Sequence, residues 1–198
     1  MYNLKRKSMK RLVLILCVLF SIGVNAQQES HLEFKGIPIT GTIDNMVNKL
    51  KAQGYELIES NDDGAKLEGY FANEKCTVIV STTPKNKTVY RVAVLLGQKD
   101  TWRSLKSDYN NFKEQLSKKY NVKPNPLEIF LDPYYEGDGY ELLALEKYKC
   151  FYTSDFELAN GRIQLAMFYD GRIVLLYYDN IGDNLREQEE NQNTYDDL

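Results

Sequence analysis

From Leu12 to Val24 the chain is almost unbroken apolar; beyond it the apolar positions fall into two periods. Ile43, Met46 and Leu50, and later Leu105, Tyr109, Phe112 and Leu116, recur at the spacing of one helical face. Thr42 can cap the first of these helices, with Asp44 in its first turn and Gly54 as its stop, which predicts a helix over 42–53. The second is predicted over 100–120, where Trp102 extends the same apolar stripe and is expected to pack in the core. Runs rich in β-branched and aromatic residues predict strands over 55–59, 66–72, 76–82 and 88–96, and again over 140–146, 149–155, 162–169 and 172–178. The turns between them are Asn61-Asp62-Asp63-Gly64, Asn73-Glu74, Pro84-Lys85-Asn86, Asn160-Gly161 and Asp170-Gly171, all of residue types that tolerate turn geometry. The last strand is apolar on both alternating faces, as a central strand would be. A further strand is expected over 32–39, and the stretch holding Pro124, Pro126 and Pro133 reads as an inserted loop.

Self-comparison adds a modest internal repeat. Lys75-Cys76 and Lys149-Cys150 lie 74 residues apart, and the two helical trios Ile43/Met46/Leu50 and Tyr109/Phe112/Leu116 lie 66 apart. Each unit therefore reads as a helix followed by hairpin-connected strands. The predicted fold class is α+β, with two tandem helix-plus-antiparallel-sheet units whose sheets have about four strands each. The expected division is 1–26 as a signal peptide, 27–98 and 99–182 as the two units, and 183–198 as an acidic, solvated tail.

Charge sharpens the reading of the leader. Lys5, Arg6, Lys7, Lys10 and Arg11 precede the apolar run, no acid does, and Val24-Asn25-Ala26 ends in a small-residue cleavage triplet, the layout of a secretory signal peptide. Cys17 follows Leu14, Ile15 and Leu16 rather than small residues, which disfavours a lipidated cysteine. Beyond residue 26 there remain 20 Lys+Arg against 28 Asp+Glu, a formal charge of −8. A chain this acidic is a poor nucleic-acid ligand, and no second apolar run is long enough to span a membrane. The expected location is the periplasm or the cell exterior. Cys76 and Cys150 form an even pair in that setting and are candidates for a disulfide or for two separate buried thiols.

Candidate chemistry is sparse. The single histidine, His31, stands near the expected mature terminus, so metal clusters and histidine-based catalysis have little to build on, and no phosphate loop or nucleophile elbow occurs. The acidic loop 132–141 brings Asp132, Glu136, Asp138 and Glu141 among glycines, but against the calcium-loop template Tyr134 and Leu143 fall where oxygen ligands belong. No cofactor is expected. Tyrosine is the richer signal, with 14 beyond residue 26; it supplies contact area with a polar handle and few rotatable bonds. Tyr134, Tyr135, Tyr148, Tyr152 and Tyr177 are the candidate binding residues. The expected function is a non-enzymatic exported module whose aromatic sheet face meets a protein or peptide partner. A small-ligand or glycan binder is the alternative, and a hydrolase comes after it.

Two resemblances bear on this. The opening Phe34-Lys35-Gly36-Ile37-Pro38-Ile39-x-Gly41, followed by an amphipathic helix and Gly54-Tyr55, resembles a group of small exported bacterial proteins of unassigned function. The layout of two helix-plus-sheet units is similar to that of the β-lactamase inhibitor proteins, which implies a sheet surface presented to a protein partner. No residue motif carries inhibitor contacts onto this chain.

Overall fold

Local capping sets the two main helices where the periodicity places them. In a computed structural model describing residues 30–196, α1 spans Ile43–Ala52, and the Thr42 hydroxyl accepts the Asn45 N–H. Gly54, at φ 88°, turns the chain out of the helix. Helix α2 spans Trp102–Tyr120, capped by Thr101 and closed by Asn121 in the left-handed region. Its buried stripe is Leu105, Tyr109, Phe112 and Leu116. At ~1.5–3 kcal/mol per buried apolar side chain, that stripe outweighs a cap worth ~1 kcal/mol.

The strands are β1 (Glu33–Phe34), β2 (Ile37–Pro38), β3 (Glu56–Asn61), β4 (Gly64–Phe71), β5 (Glu74–Thr82), β6 (Val89–Leu96), β7 (Asn125–Phe130), β8 (Cys150–Leu158), β9 (Gly161–Met167) and β10 (Ile173–Asp179). β1 and β2 form a small hairpin through Lys35 and Gly36, both at positive φ, where one strand over 32–39 was expected. The other eight form one antiparallel sheet in the order β3-β4-β5-β6-β10-β9-β8-β7. This corrects the expectation of two sheets of about four strands: pairing of β6 with β10 fuses both groups at the centre. The 74-residue sequence offset is likewise misaligned with the sheet, since it sets β5 on β8 and β6 on β9, strands at different distances from that central pair.

Two segments differ from the predicted elements. Residues 140–146 form a short helix, α3 (Glu141–Glu146), not a strand, and bury Ala144 and Leu145. The missing strand is β7, inside the proline-bearing stretch read as a loop. It lies at the sheet edge, where Pro126 removes no interior ladder bond. The expected solvated tail is instead helix α4 (Asn180–Asp196), continuous with β10. It packs on β6, where Gly182 approaches so closely that a Cβ would stand 2.8 Å from Tyr90. The segment 1–26, expected to be a signal peptide, lies outside the described residues; His31–Leu198 form a compact unit of their own.

The core lies on one side of the sheet. Helix α1 packs on β3, β4 and β5, and α2 on β8, β9 and β10. Between helices and sheet lie Leu67, Val78, Val94, Leu165, Leu175 and the side chains around them. Cys76 and Cys150 point into this layer, both buried and both free. They sit on β5 and β8 with three strands between them, ~19 Å in the pairing direction, far beyond disulfide reach. Of the two alternatives for these cysteines, the structure has the separate buried thiols.

Candidate functional site

Of the five candidate tyrosines, two lie on strands and both point to the helix side of the sheet, while Tyr134, Tyr135 and Tyr148 lie in loops. Tyr152 and Tyr177 face the helices and are almost wholly buried. Tyr152 is a hub, its ring edge-on to Trp102 at 5.2 Å and Tyr109 at 5.7 Å, with its hydroxyl donating to Glu136. Tyr177 meets Phe34 edge-on at 5.3 Å. Burial pushes both phenols up, so they stay protonated. Neither can serve a partner on the opposite face, which corrects their assignment to that surface. Tyr134 is half-buried against the core, and Tyr135 is exposed in the acidic loop. Only Tyr148 joins an exposed aromatic group: its ring lies 5.8 Å from Tyr169, itself 5.0 Å from Phe168.

The acidic loop spends its oxygens on its own backbone and on nearby side chains. Asp138 accepts from the N–H groups of Tyr135 and Tyr140, and Glu141 accepts from Gly137. Glu136 pairs with Lys106, whose hydrogen bond holds its carboxyl below the ordinary range. Among the described residues no three His, Cys, Asp or Glu side chains gather to hold a metal ion. Burial pushes the Cys150 thiol to about 12 and raises that of Cys76 as well, so neither offers a ready thiolate.

The sheet face opposite α1 and α2 is the larger feature. Its side chains form cross-strand rows. Leu127, Thr153, Ala166, Val174, Leu95 and Thr77 make the first. One step along, Ile129 stands opposite Phe151, and the strand direction leads on to Phe168. In the opposite direction the face turns polar, through Gln164, which donates to Asp155, to a row in which Tyr178 lies between Arg91 and Arg162. None of these residues belongs to the core cluster beneath α1 and α2, although Val174, at the sheet centre, is itself only 4% exposed. Leu127, Ile129, Phe168 and Tyr169 are each at least 40% exposed, and an apolar group of this kind on a folded surface marks an interaction site more often than chance.

Most of this surface escaped the sequence reading. Leu127 and Ile129 lie in the segment taken for a loop, so their shared face had no register. Phe168 was reachable by continuing the alternation Arg162, Gln164, Ala166 by one step. No family model, curated protein or solved structure matches the chain.

Proposed function

We propose that this is an exported, non-enzymatic binding module in which the sheet face opposite α1 and α2 meets a protein partner. The observation that carries the reading is the exposed apolar group toward the β7 side of that face, Leu127, Ile129 and Phe168 with Tyr148 and Tyr169. Strands pre-order such a surface, so little conformational entropy is lost when a partner covers it. The Arg91–Tyr178–Arg162 stack at its other end favours a partner with acidic groups there and apolar groups opposite Phe168. Export rests on the N-terminal pattern of five cations, an apolar run and Val24-Asn25-Ala26.

The test is site-specific photo-crosslinking in the producing cells, with p-benzoyl-phenylalanine replacing Phe168 in one variant, Leu127 in another and Lys51 of α1 in a control. One discrete adduct from the first two positions and none from Lys51 is the expected result. Adducts equal at all three positions, or adducts at Lys51 alone, would overturn the reading. A self-adduct of twice the chain mass would make the partner a second copy.

A further inference from the structure

A groove opens on the other side of the sheet, over its middle. Helix α1 serves β3 to β5 and α2 serves β8 to β10. An opening of about 590 Å³ is lined by Leu175 and Tyr177 of β10, by Phe71 of β4, and by Phe112 and Leu116 of α2. Phe34, Phe71 and Phe112 form a stacked series at 5.9 and 6.3 Å, so Phe71 and Phe112 present one continuous aromatic wall to the opening. Its volume is in the range of small-molecule sites.

The mouth has the opposite character. Lys35, from the β1–β2 turn, and Lys118 and Lys119, from the last turn of α2, border the opening. Lys118 is paired with Glu114. Lys35 donates to the Tyr55 hydroxyl and the Tyr70 carbonyl, and Lys119 lies over the Tyr120 ring; among the described residues neither meets a carboxylate. In a chain whose charge beyond residue 26 is −8, a cationic rim on one apolar groove is a local reversal. Lys35 is positioned by the backbone itself, at φ 51° beside Gly36. An open, largely apolar groove bordered by ammonium groups matches an alkyl chain ending in an anion.

The geometry points to this groove as a binding site for one single-chain amphiphile with a carboxylate head, a long-chain fatty acid, its tail lying along Phe71, Phe112 and Leu116 over Tyr177 and its carboxylate between Lys35 and Lys119. The site lies on the opposite side from the sheet face of the proposed function and stands or falls separately from it.

The test uses residues 27–198, which contain the whole compact unit, titrated with the fluorescent fatty acid cis-parinaric acid. Saturation at one molecule per chain, with displacement by hexadecanoate roughly tenfold or more better than by hexadecyltrimethylammonium, is expected. Lys35→Glu with Lys119→Glu should weaken binding by a similar factor while leaving the thermal midpoint in place. Gln115→Trp, an exposed substitution at the groove wall, should block the tail and abolish binding in a folded protein. No saturable signal, equal displacement by the ammonium amphiphile, or affinity unchanged in the charge-reversed variant would overturn the assignment.

Discussion

Asp179 Oδ1 accepts the main-chain N–H of Leu32 at 2.7 Å, joining two residues 147 apart in sequence. The other oxygen accepts from Gly182 N–H and lies 2.9 Å from His31 Nδ1. One fully buried carboxylate thus ties the start of the described chain to the junction of β10 and α4. Asp179→Ala would leave two buried amides without acceptors and is expected to cost about 3 kcal/mol in urea unfolding. His31→Ala, at a side chain still 29% exposed, should cost under about 1 kcal/mol. Equal losses from both variants would mean that the side-chain pair, rather than the amide acceptor, holds the junction.

Acid should release α4 before the sheet melts. Glu189 is buried and accepts from the Thr83 hydroxyl, the Lys85 and Asn86 N–H groups and the Asn86 side chain. Burial alone would raise its pKa, but these hydrogen bonds win and hold it below the ordinary value. A depressed carboxyl contributes stability above its unfolded value of about 4.3, and that contribution disappears as pH falls through the lower folded value. Hydrogen exchange at α4 amides should therefore accelerate near pH 3 relative to pH 7, beyond the intrinsic pH effect. Glu189→Gln should loosen α4 already at pH 7, by about 1–3 kcal/mol. Unchanged α4 protection in that variant would count against the carboxylate as the latch.

Both thiols should remain unbridged even after oxidative export. Mass spectrometry of residues 27–198 is expected to show two alkylatable cysteines, modified fully only in denaturant. The Cys150 reaction in the native state should stay slow at pH 8, because burial holds this thiol protonated to about 12. A Cys76–Cys150 bridge in the folded protein would contradict the strand order.

Tyr152→Ala should behave as a core lesion rather than a binding lesion. It removes a ring that contacts Trp102, Tyr109 and Phe130, and a loss of about 3–5 kcal/mol is expected. Tyr152→Phe gives up only the hydroxyl bond to Glu136 and should cost about 1 kcal/mol. By contrast, Tyr148→Ala, at an exposed ring, should leave the unfolding midpoint within about 0.5 kcal/mol of the native protein. A fall of several kcal/mol there would show that the Tyr148–Tyr169 contact is structural.

What the chain determined by itself is local. Thr42, Thr101 and Gly54 mark helix ends because capping is satisfied within four residues, and the stripe Leu105 to Leu116 is a periodicity that only one element can use. The alternation in Ile173 to Tyr178, apolar on both faces, already marked a central strand. Tertiary structure decided everything that depends on which strand lies beside which. Pairing of β6 with β10 made one sheet of eight strands, and the edge place of β7 made Pro126 tolerable. α4 formed because Glu189 found donors about a hundred residues away, a partner no local pattern contains. The same holds for the surfaces: alternation separates two faces of a strand, but only the packing of α1 and α2 settles which face they cover. Hence Tyr152 and Tyr177, alike in sequence to Tyr148, became core, while Phe168 and Leu127 came to the surface.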